Sequence, residues 1–297
     1  MTGTARSIGV VGAGEMGGRM ARRLAASGHA VSICDVDQVR LAAFAADGFC
    51  CATRPRDVAG GDIVIIMVAN DAQMLELTSA AGGLVDGLDP ARSTVILIMS
   101  TCRPRTVLAI RDKVAARRAR VVEAPVSGGL VGAESGTLSV LLGGDEADID
   151  EVMPVLRCIG QNFFNCGPLG AAQVTKLINN MIGLTNLYLV SEAFDIARRS
   201  GVDLKKALPA IDASAGRNFL SKDLERSCQQ FADWSSSPEA FDALSRIIRK
   251  DISLVDEVAA EAGVDAQVLR SVSGVLGVPS AVVYERLRAL ASVGTDT

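Results

Sequence analysis

At 297 residues, 49% hydrophobic and 22% charged, the chain is long enough for two domains, and its composition is that of a globular protein rather than a disordered or membrane-embedded one. The formal net charge of -4 arises from 34 acidic against 30 basic residues, and no basic patch marks a nucleic-acid surface. The single histidine, His29, excludes a histidine-rich metal site and any acid/base mechanism that needs another histidine.

The opening "MTGTARSIGVV" has neither the apolar core nor the cleavage pattern of a signal peptide, so a cytoplasmic location is expected. Apolar runs then alternate with helical patterns: "IGVV" (8–11), "AVSIC" (30–34), "DIVIIMV" (62–68), "TVILIM" (94–99), "RVVEAPV" (120–126) and "LSVLLGG" (138–144). Continuous Val/Ile/Leu runs of this length fit strands covered on both faces, and their alternation with helices predicts a parallel α/β sheet.

Between the first two runs, Gly12, Gly14 and Gly17 form GxGxxG ahead of a helix whose face carries Met16, Met20 and Leu24. The first glycine permits a tight turn, the second lets the backbone approach a pyrophosphate, and the third lets helix and strand pack closely. Gly12, Ala13, Gly14, Glu15 and Met16 are therefore candidate cofactor contacts. Asp35, at the end of the next strand, is placed to accept hydrogen bonds from ribose hydroxyls and to repel a 2′-phosphate. With Val36 behind it and no arginine at hand, NAD is expected rather than NADP. A glycine-rich turn that binds nothing, a flavin or another nucleotide are the alternatives. His29, in "SGHAV", reads as a turn residue between helix and strand.

Ser127, Gly128 and Gly129 follow a strand in "EAPVSGGLVG". Adjacent glycines at a strand end leave amide hydrogens free and suit an anion such as a carboxylate; a plain turn is the alternative. After "NFFNCG" the style changes to helix. From Gly170 to Arg199 no proline interrupts a pattern about 30 residues long, spanning roughly 45 Å. Its asparagines and the return of charge at Glu192 argue against a membrane span. Lys176 is the only charged residue between Arg157 and Glu192. Burying a cation is costly, and the usual escapes are a shifted pKa or a charged ligand. Gln173, Lys176, Asn180 and Gly183 share one helix face, a polar strip that could look into a cleft. A desolvated lysine there could exchange a proton with a hydroxyl while Asn180 holds the same oxygen; a lysine that snorkels to the surface is the alternative. Further helices follow, separated by turns such as "SGVD" and "AGVD". The seven cysteines show no framework spacing and suit reduced residues in a reducing compartment.

"GVVGAGEMGGRMARRL", "EAPVSGGLVGAESGTL", "GPLGAAQVTKLINN" and "RKDISLV", in this order, resemble the dinucleotide, substrate, catalytic and late cofactor motifs of the β-hydroxyacid dehydrogenase family, which includes 3-hydroxyisobutyrate dehydrogenase. The resemblance covers nearly the whole chain. It implies an N-terminal Rossmann domain, a doubly wound parallel sheet over residues 1–166, joined by a long helix to an all-α substrate and oligomerisation domain over 167–297. It further implies Lys176 as the catalytic lysine, substrate contacts from Ser127, Gly128, Gly129 and Asn180, and cofactor contacts from Val68, Ala69, Thr101 and Lys250. NAD, no metal, a small β-hydroxyacid substrate and a homodimer or homotetramer complete the expectation.

Ile98 and Glu123 stand where the family often has aspartate, and Ala172 replaces a frequent glycine one turn before Lys176, where it could narrow a cleft. The closing "VPSAVVYERLRALASVGTDT" matches the family tail poorly. "MVANDAQ" leans toward the threonate-oxidising branch over 3-hydroxyisobutyrate. Imine reduction on the same scaffold and a non-catalytic NAD-binding module are the competing readings.

Overall fold

The computed structural model describes residues 5–294, so the first four and last three residues of the expected domains, and the end of the divergent tail, lie outside the described residues. The chain divides into two compact units, up to Lys176 and from Leu177 onward.

The first unit runs β1 (Ser7–Val11), α1 (Glu15–Ala26), β2 (Ala30–Cys34), α2 (Gln38–Ala46), β3 (Cys50–Ala52), β4 (Ile63–Ile66), α3 (Asp71–Ser79), α4 (Leu84–Gly87), β5 (Val95–Ile98), α5 (Pro104–Ala115) and β6 (Arg120–Glu123). It continues through β7 (Val126–Ser127), α6 (Gly129–Ser135), β8 (Leu138–Leu142), α7 (Glu146–Leu156) and β9 (Gly160–Asn165) to the start of α8 (Ala171–Arg199). Six strands form a sheet of order β3-β2-β1-β4-β5-β6, every pair parallel. This is the doubly wound Rossmann arrangement.

The reason for the continuous apolar runs is visible in the core. Alternate residues of one strand enter different clusters: Ile63 and Ile65 pack on one face, Val64 and Ile66 on the other. Val95 and Leu97 divide from Ile96 and Ile98 in the same way. Every position of these strands is therefore buried, and helices cover both faces.

The expectation of one sheet needs correction at its far end. "RVVEAPV" breaks after Glu123, and β7 and β8 pair antiparallel in a separate three-stranded sheet with β9 parallel to β8. β9 reads GQNFFN and keeps much of its length exposed, so it lacks the apolar run that marks the other strands.

The second unit holds the rest of α8, then α9 (Leu204–Asp212), α10 (Leu224–Trp234), α11 (Pro238–Glu261), α12 (Gln267–Ser273) and α13 (Ala281–Ala291). Asp203, Asp223, Ser237 and Ser280 cap α9, α10, α11 and α13 by accepting backbone N–H bonds of the first turn. The core gathers Tyr188, Phe194, Phe231, Phe241, Ile248 and Leu287. The Tyr188 hydroxyl accepts from the Gly277 backbone N–H at 2.9 Å, so the one buried phenol of this core is satisfied where Gly277 turns between α12 and α13. Among the described residues no helix is long and apolar enough to cross a membrane.

Candidate active site

The glycine loop joins β1 to α1. Gly12 has φ +93, and a Cβ there would lie 2.2 Å from the Met67 carbonyl, so only glycine fits both the turn and the neighbouring strand end. Gly14 caps α1 without any side-chain hydrogen bond, and a Cβ on it would meet nothing within 4 Å. The first turn of α1 therefore opens onto free space with its amides uncapped, which is the donor set a pyrophosphate needs. Ala13 is buried and its N–H is spent on Asp35, at 2.7 Å, so it shapes the loop. Glu15 pairs with Arg19 at 2.5 Å and Met16 packs against the core, so both side chains are engaged within the protein.

Asp35 lies where the strand predicts, at the end of β2, but the premise that no arginine is at hand is wrong. Arg40, in the first turn of α2, places Nη1 3.2 Å from both carboxylate oxygens. The helix brings back over the strand end a residue that sequence distance had set aside.

The ends of β4 and β5 are tied together by a side chain the sequence did not single out. Ser100 Oγ accepts from the Val68 N–H and donates to the Val68 carbonyl, both at 2.8 Å. Gln73 Oε1 accepts from the Ala69 N–H at 3.0 Å. Thr101 follows Ser100 in the turn that leads to α5. Gln173 closes this network from α8: its Oε1 accepts from the Cys102 N–H at 3.0 Å and its Nε2 donates to the Ser100 carbonyl at 3.1 Å. Gln173 is fully buried, so it does not line a cleft as the shared helix face suggested; it clamps the chain after β5 to the helix that carries Lys176.

Glu123 gives that helix its second anchor. Its Oε1 accepts from the Gly170 and Ala172 N–H groups, each at 2.8 Å, while Oε2 is buried with no hydrogen-bond partner among the described residues. Burial pushes the carboxyl above its ordinary pKa against the pull of these amides. Ala172 is fully buried and spends its N–H on Glu123, so it narrows nothing.

Lys176 does not snorkel. It is 7% exposed, and its Nζ lies 2.6 Å from Ser127 Oγ. Ser127 ends β7, and Gly128 and Gly129 follow with φ +131 and +64, left-handed conformations that turn the chain into α6. The expected substrate loop and the expected catalytic lysine are thus in contact, although 49 positions separate Ser127 from Lys176.

In the second unit Asn180 and Lys250 meet at one residue that the sequence reading missed. Asn180 Nδ2 donates to Asp251 Oδ2 at 2.5 Å, and Lys250 Nζ lies 2.9 Å from Asp251 Oδ1. Asp251 is 2% exposed. The signal was available: Asp251 sits among Ser245, Ile248, Ile252 and Val255 on the buried face of α11, where an acid without a purpose is costly.

Comparison with known proteins bears on the family and the fold. Residues 7–167 match the family of the NAD binding domain of 6-phosphogluconate dehydrogenase, and residues 170–285 match the NAD-binding domain of NADP-dependent 3-hydroxyisobutyrate dehydrogenase. Mitochondrial 3-hydroxyisobutyrate dehydrogenase of Drosophila melanogaster is 36% identical over 225 residues, 74% of this chain and 67% of that protein. The NAD-dependent L-serine dehydrogenase of Pseudomonas aeruginosa is 28% identical over 263 residues, 86% of this chain and 85% of that protein. The solved structure of Mycobacterium tuberculosis 3-hydroxyisobutyrate dehydrogenase with L-serine shares the fold at a TM-score of 0.76, with 22% identity over 97% of this chain and 99% of that one.

The family models and the named relatives show an NAD-dependent oxidoreductase of the hydroxyacid dehydrogenase class. Within it, the chain belongs to the β-hydroxyacid dehydrogenase family.

Proposed function

We propose that this protein oxidises the hydroxyl group of a small β-hydroxyacid, with Lys176 as the group that takes the hydroxyl proton. The observation that carries this is the 2.6 Å contact between the buried Lys176 Nζ and Ser127 Oγ, beside the two left-handed glycines. The Gly128–Gly129 turn presents backbone amides suited to the substrate carboxylate, and Ser127 orients both the lysine and the acid. Asn180, one turn further along α8, supplies a donor for the reacting oxygen and is itself oriented by Asp251. Gly12, Gly14, the first turn of α1, Asp35, Val68, Ala69 and Thr101 would hold NAD, which would supply the hydride acceptor.

Lys176 in its neutral form draws the proton from the hydroxyl as the carbon–hydrogen bond breaks, and its ammonium returns the proton in the reverse direction. Such acid/base help is worth about 10² to 10⁴ in rate. In this reading residues 1–166 serve the nucleotide and 167–297 the substrate and assembly. The relatives' substrates direct attention to acids with a hydroxymethyl group beside the carboxylate, 3-hydroxyisobutyrate and L-serine, with L-threonate as the sequence-favoured alternative.

The seven free cysteines support a reducing, cytoplasmic setting. Ile182, Leu189 and Ile196 leave an apolar stripe exposed at heptad spacing on α8, which supports a homodimer or homotetramer.

The test is NADH formation from 3-hydroxyisobutyrate, L-serine, L-threonate and D-glycerate, with Lys176→Ala in parallel and a cyclic imine with NADH as a further arm. Turnover of one acid that drops about 10² to 10⁴-fold in Lys176→Ala is the expected result. A Lys176→Ala enzyme with near-normal turnover, or turnover of the imine alone, would overturn the assignment.

A further inference from the structure

The amide of Gln173 is engaged at both ends by main chain. Oε1 takes the Cys102 N–H and Nε2 gives to the Ser100 carbonyl, so one partner is a donor, the other an acceptor, and the amide has a single orientation. These partners flank Thr101. A group that bonds the C=O of one residue and the N–H of the next but one copies what a parallel neighbouring strand does. With one side chain, α8 grips the chain leaving β5 as a strand would.

This grip is one link in a line of contacts. At one end, Gly12 of the glycine loop lies so close to Met67 that a Cβ would stand 2.2 Å from its carbonyl oxygen. Beside Met67, Val68 gives its N–H to Ser100 Oγ and accepts the Ser100 hydroxyl at its carbonyl. The Ser100 carbonyl accepts in turn from Gln173, and both side chains are buried. One helical turn further along α8, about 4.5 Å, stands Lys176 with its Nζ on Ser127. Packing alone would be served by an apolar side chain, with no polar group to desolvate. The two bonds of Gln173 are directional, and what they hold is the spacing between α8 and the carboxyl ends of β4 and β5, the edge at which a doubly wound sheet binds its ligand.

We propose that Gln173 is a positioning residue of the oxidation: it sets Lys176 at a fixed distance from the nucleotide edge of the sheet. The proposal rests on the reading of Lys176 as the proton acceptor and of the glycine loop as the cradle. The hydroxyl proton passes to Lys176 Nζ while the hydride leaves the carbon that bears the hydroxyl for NAD, so one misplacement is felt by both transfers. Displacement by about 1 Å is enough to cost about 10²-fold in rate. Gln173 touches neither transferred atom and acts through the helix.

Two variants of the whole chain test this: Gln173→Met, which keeps the length and loses both bonds, and Gln173→Glu. Turnover of 3-hydroxyisobutyrate, L-serine, L-threonate and D-glycerate with NAD is measured beside NADH affinity, below the melting transition of each variant. Gln173→Met is expected to lower kcat about 10- to 100-fold, with KM and NADH affinity within about 3-fold of wild type. Gln173→Glu gives a second signature. Its protonated acid accepts from Cys102 and donates to Ser100 as the amide does, whereas its carboxylate has no proton to give the Ser100 carbonyl. Burial raises such a carboxyl, so kcat relative to wild type is expected to be highest near about pH 6 and to fall as pH rises toward about 9. If Gln173→Met does not fold, this pH profile decides alone. A merely structural role would lower the melting temperature and leave the kcat of the folded variants and its pH profile at wild-type values, which would overturn the proposal. Lost NADH affinity with kcat preserved would overturn it too. A wild type that oxidises none of the four acids would refute the reading of the site and this role with it, whereas an active wild type with unmoved variants removes Gln173 alone.

Discussion

Replacement of Glu123 separates two things the residue does at the start of α8: it accepts backbone hydrogen bonds, and it buries an ionisable group. Glu123→Ala removes the acceptor at 2.8 Å from the Gly170 and Ala172 N–H groups and leaves two buried donors without a partner. At about 1–3 kcal/mol per orphaned donor the gross cost is about 2–6 kcal/mol. Relief of the buried carboxyl returns part of this, so a net loss of about 2–4 kcal/mol is expected, or roughly 5–15 °C in the melting temperature of a unit this size. Glu123→Gln keeps an oxygen at the same reach and is expected within about 1 kcal/mol of the parent.

The pH dependence distinguishes the two variants further. Burial, outweighing the amides of Ala172, Gly170 and Gln173, raises the folded-state pKa of Glu123. The folded chain therefore keeps a proton that the unfolded chain has already lost, and the contribution of Glu123 to stability falls as pH rises from the ordinary carboxylate value through the raised one. Glutamine has no proton to lose, so the stability of Glu123→Gln relative to the parent should climb through that window. Urea unfolding followed by far-UV circular dichroism from about pH 4 to about pH 8 reads both effects. A Gln variant as unstable as the Ala variant would show that acceptance of the two amides is not what holds the helix. A difference between Gln and parent that stays flat with pH would refute the raised carboxyl.

Gly17→Ala would put a Cβ 2.0 Å from the Gly12 carbonyl oxygen, a backbone atom that cannot move aside; NADH affinity by calorimetry should fall more than about 10-fold, and retained affinity would show that the loop gives way. Burial, then the charges of Asp35 and Asp57, push the Cys34 thiol up to about 12, so in the folded protein at mild alkaline pH it should resist a disulfide reagent while exposed Cys50 reacts at once; rapid labelling of Cys34 by mass spectrometry would contradict this. Leu189→Glu adds a charge to the exposed apolar stripe of α8 and should shift the species seen by light scattering toward the monomer; an unchanged mass would remove the stripe from the interface.

How much of this was legible in the sequence depended on whether the physical cause was local. The strands of the six-stranded sheet were readable because burial on both faces forces every position of Ile63–Ile66 or Val95–Ile98 to be apolar, and no partner need be known to see it. β3 and β9 were not readable: Cys50 and Cys51 are exposed on an edge strand, and β9 keeps polar residues at exposed positions, so neither leaves an apolar run. The separation of β8 from the main sheet was hidden for a different reason. Its apolar pattern is that of any buried strand, and only its pairing with Val126 and Ser127 decides which sheet it enters.

The site follows the same rule. That Lys176 stands alone in charge along its stretch was visible locally, and so were the glycines before α6. The contact that joins them is made by the fold, since β7 and α8 are brought together only after β8, α7 and β9 have been laid down between them. Arg40 shows how a local reading fails at short range: Asp37 caps α2 by accepting from the Val39 and Arg40 N–H groups, and the helical turn this starts returns the guanidinium to Asp35. A strand-end acid and the first turn of the next helix must therefore be read as one electrostatic unit.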